Sequence, residues 1–173
     1  MVSVRIGLVI VAALMVGLVF VDHPPPVTAH STSSGNYLFN RVAHSNKCMN
    51  VSGGSTANGA VIIQWSCVLT NNNLWRVDHQ ADGYHTLKVK HSGKCLDAPL
   101  GAGAGAQLQQ WDCHGGDNQR WDLQYVFGDA SYRLRNKYNG LCVDVYGASQ
   151  GDGTAVIQWY CHTGNNQRWF GLV

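Results

Sequence analysis

Glutamate is absent from this 173-residue chain, so all ten acidic residues are Asp. Glu favours helices and Asp favours turns and caps. With 20 Gly and many β-branched residues, this composition argues against a helical protein and for short strands joined by turns. Charge is scarce as well: charged residues make up 13% of the chain and the formal net charge is +2. Such a balance asks for neither nucleic acid nor an anionic membrane as partner. The length suits one ordinary domain rather than two. Beyond Phe20 there is no long apolar run, so the chain after its N-terminus is expected to be soluble.

The N-terminus itself is apolar. Arg5 supplies a positive start, and Ile6 to Phe20 are Leu, Val, Ile, Ala, Met, Gly and Phe throughout. A polar, proline-rich stretch follows (Asp22, His23, Pro24, Pro25, Pro26), then Val27, Thr28 and Ala29. Residues 1–29 read as a secretory signal peptide and 30–36 as a flexible lead-in. The alternative is a retained anchor, for which a comfortable span needs about 20 apolar residues. Export implies a secreted, extracellular protein with no membrane contact after cleavage. It also implies an oxidising compartment, in which six cysteines are expected to form disulfides.

What the chain does have is three copies of one unit, at 37–77, 84–123 and 132–172. Cys48, Cys95 and Cys142 stand 47 residues apart. Each is followed by Gln-Trp-x-Cys: Gln64-Trp65-Ser66-Cys67, Gln110-Trp111-Asp112-Cys113 and Gln158-Trp159-Tyr160-Cys161. Eight residues after the second Cys comes a closing Trp, at Trp75, Trp121 and Trp169. The scheme uses all six Trp and all six Cys. A Gly stands six residues before each first Trp (Gly59, Gly105, Gly153), and Asn58-Gly59 and Asp152-Gly153 are hairpin-turn signals. Six cysteines allow 15 pairings. The repeat symmetry selects Cys48–Cys67, Cys95–Cys113 and Cys142–Cys161, one loop per unit, each worth roughly 3 kcal/mol in the chain-entropy model.

Alternation in Thr86-Leu87-Lys88-Val89-Lys90 and Tyr132-Arg133-Leu134-Arg135 suits half-buried strands. Three such units are fewer than the blades of a propeller. One closed all-β fold with a shared core is the better solution, and closure removes exposed strand edges.

The triplicated Cys-Leu-Asp…Gln-Trp-x-Cys…Asn-Gln-x-Trp pattern resembles the ricin-B-type lectin domain, and equally the family 13 carbohydrate-binding modules of bacterial glycosidases. The resemblance runs from about Tyr37 to Leu172. It implies a β-trefoil that binds glycans, galactose-type or xylan-type, at up to three pseudo-equivalent sites. A sugar needs fixed polar groups for its hydroxyl rim and an aromatic ring for its C–H face. By resemblance Asp97 and Asp144 anchor the hydroxyls, Trp111 and Trp159 stack, and Asn118 and Asn166 complete the contacts. Gln119 and Gln167 stand beside them and brace the Asp. The first unit departs from the pattern. Asn50 stands for the Asp, Asn73 for the Gln, and Val68-Leu69-Thr70 replaces His114-Gly115-Gly116 and His162-Thr163-Gly164. A neutral acceptor is worth about 1 kcal/mol against roughly 1.5–3 for a charged one. The first site (Asn50, Trp65, Asn72) is therefore expected to be weak or lost. The closing Trp residues are expected in the core. Where the family often carries a Gln two residues before the stacking Trp, this chain has Ile63, Gln109 and Ile157. Rim contacts from the neighbouring Gln110 and Gln158 are left open.

Catalysis is not expected. Glycoside hydrolysis wants two carboxyls roughly 5–10 Å apart, whereas Asp97 and Asp144 occupy equivalent places on different units. No nucleophile elbow, zinc helix or phosphate loop is present, and neither a metal nor another cofactor is called for. The alternative function is a protein-binding β-trefoil, such as a protease inhibitor or adhesin. Such a protein has no evident need for two copies of Asp…Trp…Asn-Gln, whereas a lectin gains avidity from them.

Overall fold

The structure, a computed structural model, describes residues 36–172. The signal-peptide reading of 1–29 and nearly all of the lead-in lie outside the described residues. Thirteen short strands and five single 3₁₀ turns follow one another, with no α-helix among the described residues. The first repeat holds β1 (Leu38–Phe39), β2 (Arg41–Val42), β3 (Cys48–Val51), β4 (Ile62–Trp65) and β5 (Leu74–His79). The second holds β6 (His85–Val89), β7 (Cys95–Asp97), β8 (Gln109–Trp111) and β9 (Trp121–Val126). The third holds β10 (Ser131–Asn136), β11 (Cys142–Val145), β12 (Val156–Trp159) and β13 (Trp169–Phe170).

The outer strands of each repeat close a ring: β5 pairs β6, β6 pairs β9, β9 pairs β10, β10 pairs β13, β13 pairs β2, and β1 returns to β5. The inner pairs β3–β4, β7–β8 and β11–β12 form three antiparallel hairpins. Bridges Val61↔Gln109, Gln107↔Ile157 and Ile63↔Ala155 join these hairpins to one another. A six-stranded barrel capped by three hairpins is a β-trefoil, the architecture the repeats imply. Each repeat contains its own disulfide, Cys48–Cys67, Cys95–Cys113 and Cys142–Cys161.

The core is built three times over. Trp75, Trp121 and Trp169 are buried, and each indole N–H donates to a carbonyl of its own repeat: Met49, Leu96 and Val143. That settles the polar end of a ring whose burial would otherwise leave a donor unpaired. Leu87 and Leu134 occupy equivalent places, because Val89 and Asn136 make the same turn bonds, to Lys94 and Leu141. Val42 makes that bond to Lys47, which puts Asn40 in the corresponding core position. Asn40 is fully buried, and neither its Oδ1 nor its Nδ2 has a hydrogen-bond partner among the described residues.

Candidate functional site

Strand alternation decides which side chains meet. In β7–β8 the register is Cys95↔Trp111, Leu96↔Gln110 and Asp97↔Gln109. Side chains alternate faces along a strand, so Asp97, Gln109 and Trp111 share one face while Leu96 and Gln110 point into the molecule. In β11–β12 the register Cys142↔Trp159, Val143↔Gln158, Asp144↔Ile157 does the same for Asp144 and Trp159. Trp65, Trp111 and Trp159 are 41%, 40% and 39% exposed, against 1% or less for the closing Trp residues. Each of the three rings lies over a turn of another repeat. A Cβ on Gly59, Gly105 or Gly153 would stand 3.8, 3.5 and 3.8 Å from Trp111, Trp159 and Trp65 respectively. These glycines also hold φ of +82°, +94° and +82°, a region that favours Gly. The turn signals of the sequence thus serve a second purpose as seats for the exposed rings.

The carboxylates are nearly buried and wrapped in amides. Asp97 accepts from Gln109 Nε2 at 3.0 Å, Asn118 Nδ2 at 2.9 Å and Gln119 Nε2 at 2.9 Å. Asp144 accepts from Asn166 Nδ2 at 2.9 Å, Gln167 Nε2 at 2.7 Å and His162 Nε2 at 3.1 Å. The 3₁₀ turns Asp117–Gln119 and Asn165–Gln167 deliver the Asn-Gln pairs to these positions. Gln119 and Gln167 are fully buried. Each also donates to a backbone carbonyl, of Asp112 or Tyr160, and accepts from His114 or His162 N–H. They position the carboxylate from below. Asn118 and Asn166 spend their N–H groups on the Asp and on the carbonyls of Ala98 and Val145. Their Oδ1 atoms have no donor among the described residues.

Sequence reasoning left two histidines, two glycines and Gln109 out of the candidate site. His162 Nδ1 accepts from the Gly164 N–H at 3.0 Å, so the neutral ring carries its proton on Nε2, which donates to Asp144. His114 has the same bond from Gly116 at 3.1 Å, with Nε2 3.6 Å from Asp97. A Cβ on Gly116 would meet Asn118 Oδ1 at 2.8 Å and His114 Cε1 at 2.7 Å; on Gly164 the figures are 2.6 and 2.7 Å. These two glycines are required by space rather than by φ. The signal is present in the repeated Cys-His-x-Gly, which the first repeat lacks. Gln110 and Gln158, whose rim contacts the sequence left open, are fully buried together with Gln64 and face away from the pocket.

In the first repeat Asn72 Nδ2 donates to Asn50 Oδ1 at 3.2 Å and to the Val51 carbonyl at 3.0 Å. Asn73 is one methylene shorter than Gln119 and accepts from Thr70 Oγ1 instead. Its buried Nδ2 has no partner among the described residues. No histidine reaches in, and Val68 and Leu69 stand exposed in its place. Trp65 keeps its exposure, but the carboxylate and its bracing amide are both gone.

The fold is that of a β-trefoil of the lectin type. The family model of ricin-type β-trefoil lectin-like domains matches residues 27–104 and 71–159, and the chain belongs to that family. Its fold is similar to a designed three-fold symmetric protein, ThreeFoil, at 40% identity and TM-score 0.74, over 77% of this chain and 95% of that one. It is also similar to an exo-β-1,3-galactanase of Clostridium thermocellum, at 28% identity and TM-score 0.76, over 80% of this chain and 30% of that one. A ricin B-like lectin of Macrolepiota procera, solved with lactose, shares the fold at 20% identity and TM-score 0.67, over 80% and 96% of the two chains.

Proposed function

We propose that this chain is a secreted, non-catalytic sugar-binding protein that holds glycans at two sites, in its second and third repeats. The observation that carries this is the paired constellation itself. Asp97 and Asp144 are each gripped by an Asn-Gln pair on the strand face that also presents a partly exposed Trp. A carboxylate fixed by amides cannot swing to follow a ligand, so its free lone pairs and the Asn Oδ1 offer acceptors in set directions. Preorganisation of this kind reduces the ordering cost of binding. The Trp supplies the apolar face a sugar ring needs. Each Asp sits within its own amide cage on a separate repeat, an arrangement that supports holding a sugar rather than cleaving one.

Family membership supports glycan as the partner class. The relative at 28% identity is an exo-β-1,3-galactanase, which makes galactose-type glycans the first to try. Three intra-repeat disulfides and the apolar N-terminus support export.

The test is a glycan array probed with the purified chain and with the double variant Asp97→Ala, Asp144→Ala. Binding by the first and loss in the second is expected. A correctly disulfide-bonded chain that binds no glycan would overturn the reading and turn the search to protein partners.

A further inference from the structure

The residue after each exposed Trp lies at a junction with a neighbouring repeat, and two of the three junctions are polar. Beside Trp65, Ser66 donates to Asp152 from its N–H at 2.7 Å and its hydroxyl at 2.9 Å, and Lys47 pairs with Asp152 at 2.7 Å. Beside Trp111, Asp112 pairs with Lys94 and accepts from Asn58 at 2.8 Å. Beside Trp159 the corresponding residues are Leu141, Tyr160 and Ala104. The turn beneath that ring, 101–106, consists of Gly and Ala alone. No ion pair ties Tyr160 down among the described residues. It is 68% exposed, with its ring 5.8 Å from that of Trp159 and steeply inclined to it at 71°. The third site also has Ile157 where the second has Gln109, so its floor is less polar.

Because Asp144 faces Ile157 in the register, Ile157 and Trp159 run along β12 away from the carboxylate, and Tyr160 follows directly past the end of that strand. We infer that the third repeat holds a site for two linked sugars. Asp144, Asn166 and Trp159 take one unit, and Tyr160 forms a wall against the next unit of the same chain. This rests on the sugar-binding reading above. The ligand class is an uncharged oligosaccharide or an internal stretch of a polysaccharide. The second repeat, whose corresponding corner is filled by the Lys94–Asp112 ion pair, takes a single unit. An aromatic wall meets the apolar face of a sugar at little entropic cost, since Tyr has only two side-chain torsions.

The experiment isolates the third site with Asp97→Ala and compares galactose with β-1,3-linked galactotriose by calorimetry. The Asp97→Ala chain is expected to bind the triose more tightly than galactose. Adding Tyr160→Asp, the residue of the second repeat, should lower triose affinity by about three- to tenfold and leave galactose affinity unchanged. Tyr160→Phe should retain triose affinity, because the ring and not its hydroxyl makes the wall. Equal loss for both sugars, or no loss for either, would overturn the two-unit site. If the unmutated chain bound neither sugar and no glycan on an array, the sugar-binding reading would fall first.

Discussion

Burial pushes the Asp144 carboxyl above its usual range, while the Gln167 and Asn166 amides and His162 pull it back. Burial is the largest of these effects, so the folded chain holds this proton more tightly than the unfolded chain does. The contribution to stability is therefore present below the ordinary carboxylate pKa and is lost as pH rises through the raised value. Acidification through that window should strengthen the fold at this residue and weaken sugar binding at the third site. Calorimetric titration of the Asp97→Ala variant down the acid limb checks it. Neutralising Asp144 by mutation is different, because an amide nitrogen would then face the donors of Asn166 and Gln167. We expect Asp144→Asn alone to cost about 1–3 kcal/mol of stability. Adding Gln167→Asn copies the Asn50 and Asn73 pair of the first repeat but also gives up the bonds of Gln167 to the Tyr160 carbonyl and the His162 N–H, so the double variant should be less stable still and should not restore binding. Urea unfolding of both variants measures the difference. Asn40 offers the opposite case. An amide with no partner among the described residues stands where Leu87 and Leu134 pack, so Asn40→Leu should add about 1–3 kcal/mol of stability, read as a higher urea midpoint at unchanged slope.

The inner hairpins settle what the sequence leaves open for Gln110 and Gln158. Gln-Trp in each repeat suggests two surface groups, yet alternation sends the Trp outward and the Gln inward. Gln110 donates to the Ser55 and Ala57 carbonyls, 55 and 53 residues away, and accepts from Ser92. Gln64 and Gln158 tie into the third and second repeats in the same way. The exposed Trp implied this inward turn, but the carbonyls that make burial tolerable come from another repeat and have no local signature. Gln110→Ala should cost about 1–3 kcal/mol by orphaning those groups, while leaving the pocket face of β8 intact. Thermal unfolding and sugar binding, measured together, separate the two effects. At the pocket the Asp, Trp and Asn-Gln elements were legible because they recur at fixed spacing. Gln109 was less so, since it occurs in one repeat only. The roles of Gly116 and Gly164 depend on a contact with His and Asn that spacing cannot reveal.

For the molecule as a whole, the closed sheet joins units that could not bury a core alone. Its symmetry was readable from the Cys and Trp count before any coordinates. The first repeat's loss of its carboxylate was readable too, as Asn50, whereas the additional amide Gln109 at Asp97 and the aromatic corner at Tyr160 emerge only from the folded arrangement. If both proposed sites bind, their placement on one closed sheet would favour multivalent polymers over free sugars. Removing one site should therefore lower polysaccharide binding by far more than half, while only halving the number of monosaccharides bound. That number is the most direct test of the account. Titration calorimetry with galactose should give two sites per chain, one after Asp97→Ala or Asp144→Ala, and none after both. Three sites, or a count unmoved by either substitution, would contradict it.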